Sequence, residues 1–175
     1  MRAAVCTLLS FVLAGVALTP ALAQDNMVYA PMAKAKFGNL PVIPKCGTIA
    51  VANGDPSKGA AVILAKTASG CVIPWHWHSA GEQLMFVAGS AKVDMKDGAP
   101  VRMHTGDYIK LPSKNVHRFT CVAACTFYLA TDAAFDIHYV DKDGKEISMD
   151  DALKAKAKAP MKKAPAKDDM KEMKM

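Results

Sequence analysis

Gly70-Cys71-Val72-Ile73-Pro74-Trp75-His76-Trp77-His78-Ser79-Ala80-Gly81-Glu82-Gln83-Leu84-Met85-Phe86-Val87-Ala88-Gly89 is the stretch that decides how this chain is read. On a β-strand, residues i and i+2 project from the same face, so His76 and His78 become neighbouring donors on one surface. Ser79-Ala80-Gly81 predicts a tight turn that returns Glu82 on the next strand beside them. Two imidazoles and one carboxylate converging from such a hairpin suit a divalent transition metal. Trp75 and Trp77 alternate with the histidines and are expected to face away from the metal. Leu84 and Phe86 alternate with Gln83, Met85 and Val87, so both faces of the hairpin carry apolar groups. They form either a homodimer interface or covered surface, or the ordinary core of a two-sheet sandwich.

A second block supplies a third imidazole. Gly106-Asp107 opens a strand, Pro112-Ser113 turns it, and His117 starts the next one, from which its ring can face the same interior. Outward from these blocks, short apolar runs rich in Val, Ile, Phe and Tyr alternate with turn clusters. The clusters include Asn53-Gly54-Asp55-Pro56, Lys58-Gly59, Ser69-Gly70, Lys96-Asp97-Gly98 and Asp141-Lys142-Asp143-Gly144. Such punctuation without a long helical period predicts an all-β sandwich or barrel. The expected strands are 46–53, 60–68, 72–78, 82–88, 91–96, 107–111, 117–121, 125–131 and 136–140.

The two blocks resemble the paired motifs of the cupin superfamily. The first carries Gly70, His76, His78, Glu82 and Gly89, and the second carries Gly106, Pro112 and His117. They are separated by 16 residues, Ser90 to Thr105. The resemblance covers residues 46–140. It implies a double-stranded β-helix, or jelly-roll barrel, with His76, His78, Glu82 and His117 as ligands of one divalent transition metal ion. It does not choose among Fe, Mn, Ni, Zn and Cu. Lys114 stands where the second motif usually has Gly, so the turn there is expected to differ. Cys121 stands where the family often has Asn. Phe135-Asp136-Ile137-His138-Tyr139-Val140 and the Asn53–Pro56 turn are further similar to small exported proteins of this superfamily.

The ligand pattern fits two functions. One is a small metalloenzyme of dioxygenase, isomerase or lyase type acting on a small molecule, with metal positions left open to water or substrate. The other is a non-catalytic module that binds a metal or a small molecule. No general base outside the ligand set is evident, and the alternation around His117 does not place Tyr108 or Arg118 inside. A pocket plugged by Met103 or Phe127 would favour binding over catalysis. His104, in an expected turn, and His138, on a late strand, read as structural or surface residues.

The ends of the chain differ from its middle. Met1-Arg2, an apolar run to Leu18 and Ala21-Leu22-Ala23 read as a signal peptide over 1–23, cleaved before Gln24, which predicts a periplasmic or secreted protein. The run is short and rich in alanine for a membrane span, and no later stretch is more apolar. Residues 24–41 read as a loosely ordered arm, 42–148 as the barrel domain and 149–175 as a disordered Lys/Ala/Met-rich tail. Within the last segment Asp150 is expected to cap a short helix through Ala155. Met149, Met161, Met170, Met173 and Met175 offer soft thioethers suited to Cu(I), against the plainer reading of a solvated extension.

The formal net charge of +6 belongs mostly to the tail. Residues 151–175 hold eight Lys and four acidic residues, whereas residues 3–150 hold 13 basic and 12 acidic ones. A near-neutral folded part argues against nucleic-acid binding. Export would place Cys46, Cys71, Cys121 and Cys125 in an oxidising compartment. Four cysteines allow three pairings. Val122-Ala123-Ala124 looks like a hairpin turn, and a bridge across it would leave Cys46 with Cys71. Buried free thiols are the alternative.

Overall fold

A computed structural model describes residues 26–157. The expected signal peptide over 1–23 and most of the expected tail lie outside these residues. The chain runs β1 (Gly47–Gly54), β2 (Ala61–Thr67), β3 (Val72–Trp77), β4 (Glu82–Met95), β5 (Val101–His104), β6 (Tyr108–Leu111), β7 (His117–Thr131), β8 (His138–Tyr139) and α1 (Met149–Ala157). A 3-10 turn, Met32–Lys34, precedes β1.

The organising element is a long antiparallel ribbon of β4 and β7, paired from Glu82↔Thr131 to Met95↔His117. One half of β7 also pairs with β2, which pairs with β1, and the corresponding half of β4 pairs with β6. The other half of β7 pairs with β3 and through it with β8, while that half of β4 pairs with β5. The ribbon bends in the middle, where its register shifts repeatedly between Phe86 and Ala91. Such irregularities let a strand turn a corner. Gly89 makes the corner sterically feasible. Its φ is +88°, and a Cβ there would meet the Ala124 carbonyl oxygen at 2.1 Å. The result is an all-β jelly-roll barrel whose two faces share one core, with Phe86, Val93, Met103, Leu111, Phe119 and Phe127 buried inside.

Several local expectations are corrected. The segments 82–88 and 91–96 are one bent strand, and so are 117–121 and 125–131. Val122-Ala123-Ala124 is therefore no hairpin turn but the bend of β7, and the Cys121–Cys125 bridge closes that bend. Cys46 pairs with Cys71, 25 residues away. β5 lies at 101–104, where no strand was expected, and His104 ends it rather than sitting in a turn. β3 and β4 are consecutive but do not pair, so they form no hairpin: β3 pairs with β7 and β8, and β4 with β5, β6 and β7.

The segments flanking the barrel are partly tied to it. Gly38 and Ile49 exchange two backbone hydrogen bonds of 2.8 and 2.9 Å. The Tyr139 hydroxyl donates to the Val42 carbonyl at 2.7 Å. At the other end, α1 begins two residues earlier than an Asp150 cap implies. The Asp151 N–H donates to Ser148 Oγ at 3.1 Å, and that hydroxyl donates to the Asp151 carboxylate at 2.7 Å. Ser148 is thus the cap, in the Ser-x-x-acid arrangement. Ala152 is buried, so the first turns of α1 pack on the barrel.

Candidate metal centre

His76 sits near the end of β3, His78 just beyond it, and His117 opens β7 in direct register with His76. Glu82 opens β4 opposite Thr131, on the half of the ribbon that pairs with β2. The three histidines therefore cluster, and Glu82 approaches His78 and His117 from the other half of the ribbon instead of from within one hairpin. The Ser79-Ala80-Gly81 turn spans the gap. It is held by the Ser79 N–H donating to Asp136 Oδ1 at 2.7 Å and the Gly81 N–H donating to Asp132 Oδ1 at 2.8 Å. The second-motif turn is tied to the same place, since the Lys114 N–H donates to the His78 carbonyl at 2.8 Å. Lys114 adopts φ 61°, the left-handed conformation that glycine favours.

One potential ligand nitrogen from each of His76, His78 and His117 lies within 4.8 Å of the other two, and all three residues are buried. Glu82 is buried with them, its Oε2 lying 3.4 Å from His117 Nε2 and 3.8 Å from His78 Nε2. Every imidazole turns its Nδ1 to a backbone carbonyl. His76 Nδ1 faces Pro74 O at 2.6 Å, His117 Nδ1 faces Asn115 O at 2.9 Å, and His78 Nδ1 faces Asp136 O. A carbonyl can only accept, so each Nδ1 carries the proton and a neutral ring keeps its lone pair at Nε2. Backbone carbonyls that fix the tautomer in this way are a recurrent support for metal-bound histidines.

This arrangement is costly without a cation. Nε2 lone pairs of His78 and His117 then face a carboxylate oxygen, and His78 Nε2 and Glu82 Oε2 are buried without a hydrogen-bond partner. The residues present fit a divalent ion, which would satisfy these atoms together. Protonating the cluster is a poor substitute. Burial, reinforced by neighbouring His117 and His78, holds the His76 imidazole well below the usual histidine range. Burial pushes the Glu82 carboxyl up, and His117 and His78, wherever they carry a proton towards it, outweigh that and leave Glu82 lower than usual.

The site opens into a cavity of about 70 Å³. Ile63, Leu84, Phe119, Phe127 and Leu129 wall it, Leu40 and Ile43 of the segment before β1 contribute, and Phe135 and Ile137 complete it. Phe127 lines the cavity without filling it, and Met103 lies in the core outside its lining. Leu40, Ile43 and the three carbonyls that seat the imidazoles were not anticipated. Backbone carbonyls leave no mark in a sequence, and the segment before β1 has no periodicity.

The remaining candidates are placed elsewhere. Tyr108 is exposed and donates to Gln83 Oε1 at 2.9 Å, and Arg118 binds Asp94 with its Nε at 3.1 Å and a terminal nitrogen at 2.7 Å. Neither lines the cavity. Trp77 stacks on His138 at 3.9 Å and Trp75 lies 5.2 Å beneath Arg118, so both tryptophans are occupied within the chain. His138 also lies 3.2 Å from Asp136 Oδ2, the residue whose carbonyl seats His78. Of the five methionines singled out towards the C-terminus, only Met149 falls within the described residues.

Residues 64–130 match the cupin domain family, and the chain is a cupin in fold. No curated protein sequence is significantly similar to it. Among solved structures it is similar to the polyketide cyclase RemF from Streptomyces resistomycificus, at 16% identity over 77% of this chain and 95% of that one, with a TM-score of 0.61. An acetylacetone dioxygenase from Acinetobacter johnsonii matches at 15% identity over 75% of this chain and 93% of that one, with a TM-score of 0.56. Oxalate decarboxylase from Bacillus subtilis matches at 20% identity over 62% of this chain and 29% of that one, with a TM-score of 0.50. At these identities the likeness is one of fold.

Proposed function

We propose that this protein is an exported metal-binding cupin that holds one divalent transition metal ion on His76, His78, His117 and Glu82. The ion would present its remaining positions to a small molecule in the apolar cavity. One observation carries the reading: three buried imidazoles, each with its Nδ1 on a backbone carbonyl, cluster together, and two of them face a buried carboxylate oxygen with no hydrogen-bond partner. Bound there, the ion would act as a Lewis acid towards an oxygen of the ligand. The chain's own part is to orient the imidazoles through Pro74, Asn115 and Asp136, and to exclude water with Ile63, Leu84 and Phe127. The cyclase, dioxygenase and decarboxylase among similar structures support an enzyme, because each is named for a reaction. The two disulfides support export, since such bonds persist in oxidising compartments.

A second reading, a non-catalytic binding module, is favoured by the cavity lining. Besides the four ligands its only polar side chains are the hydroxyls of Thr48 and Thr67, so no independent acid or base stands by. Elemental analysis of protein purified without chelator tests what both readings share. About one metal per chain in wild type, lost in His76→Ala and Glu82→Ala, is expected. Full occupancy in both variants rules these ligands out.

A further inference from the structure

The cavity carries information about what can bind at the metal, and the argument rests on the metal site proposed above. A divalent ion, three neutral imidazoles and one carboxylate leave one positive charge at the barrel mouth. One anionic group on a ligand cancels it. A second anionic group beyond chelating reach of the ion would have to lie against Ile63, Leu84, Phe119, Phe127 or Leu129, because no Lys or Arg is among the described residues lining the cavity. An unpaired charge in such surroundings is strongly disfavoured. The volume is equally restrictive. About 70 Å³ corresponds to roughly five water positions, which admits a ligand of about half a dozen non-hydrogen atoms. Leu40 and Ile43 line one side of the space, their segment tied down through Val42 to Tyr139 and by the Cys46–Cys71 bridge just beyond.

We infer that the ligand is a small monoanion with one oxygen-donor head for the metal and a compact hydrocarbon body. Dianions whose second charge lies beyond reach of the ion, such as succinate, are excluded by charge, and bodies too bulky for the cavity by volume.

The test uses the full mature chain loaded with Co(II), read by the visible absorption of the cobalt centre, which reports ligands entering its coordination sphere. Butanoate, succinate and octanoate are titrated in parallel. Butanoate shifts the bands and binds at least about tenfold more tightly than succinate or octanoate. Ile137→Lys, at a half-buried cavity position, supplies the missing cation and narrows the butanoate–succinate gap. Succinate binding as tightly as butanoate in the wild type overturns the inference, whether or not the variant folds. Cobalt bands that butanoate does not move also overturn it, while leaving the metal site intact. If no cobalt bands form before any ligand is added, the metal reading fails and this inference falls with it.

Discussion

The buried His76 makes a pH experiment on the metal-free protein informative. In the unfolded chain its imidazole titrates near 6.5. In the folded chain burial and its two histidine neighbours hold it far lower. A depressed folded pKa means that stability is full above the unfolded value and is lost as pH falls towards the folded one. Between pH 7.5 and 5.5 the unfolded chain goes from about one-tenth to about nine-tenths protonated at this residue, while folded His76 takes up less proton throughout. Integrating that difference gives a loss of at most about 1.4 kcal/mol, or up to about 4–7 °C in Tm for a domain of this size. Asp94, Asp136 and Glu82 are held below the usual carboxylate range, so they titrate below this window. The assay is thermal unfolding of chelator-treated wild type and His76→Gln at pH 7.5, 6.5 and 5.5. The wild type loses stability across the window and the variant loses up to about 1.4 kcal/mol less. Equal pH slopes in the two proteins would refute the reasoning.

Phe127 stacks on Phe86 at 5.2 Å and lies 5.2 Å from Phe119, so Phe127→Ala is expected to cost about 3–5 kcal/mol in urea unfolding. The two disulfides should differ in weight. Loop closure over 25 residues predicts about 3.5 kcal/mol lost in a Cys46→Ala/Cys71→Ala variant, against about 2 kcal/mol for the 4-residue Cys121–Cys125 bridge, both read by denaturant midpoint. Lys114→Gly relieves a non-glycine residue held at φ 61° and should leave stability unchanged or raise it by up to about 1 kcal/mol, with metal content unaffected.

The fold was legible where the physics is local. Turn clusters and β-rich runs located seven of the eight strands at least in part, and the i, i+2 placement of His76 and His78 survives in the structure. What the sequence hid is non-local. β4 and β7 bend without breaking, because Gly89 and shifted pairings let the ribbon turn where turn residues suggested two ends. β5 was missed because Val101-Arg102-Met103-His104 is short and sends only Met103 inward. Glu82 reaches the histidines from the other half of the ribbon, a relation set by pairing partners 49 residues apart, such as Glu82↔Thr131. The spacing of the motif therefore picked out three histidines that cluster and a glutamate that lies beside two of them, while implying the wrong hairpin. Lys114 shows a further non-local effect: a non-glycine residue is held in the left-handed region that glycine favours.

X-ray absorption at the metal edge of the purified, metal-loaded protein tests the central claim most directly. The account predicts three imidazole nitrogens at about 2.0–2.2 Å with at least one oxygen at a similar distance, and the loss of one imidazole in His117→Ala. A first shell made only of oxygen, or one unchanged by removing His117, would contradict it.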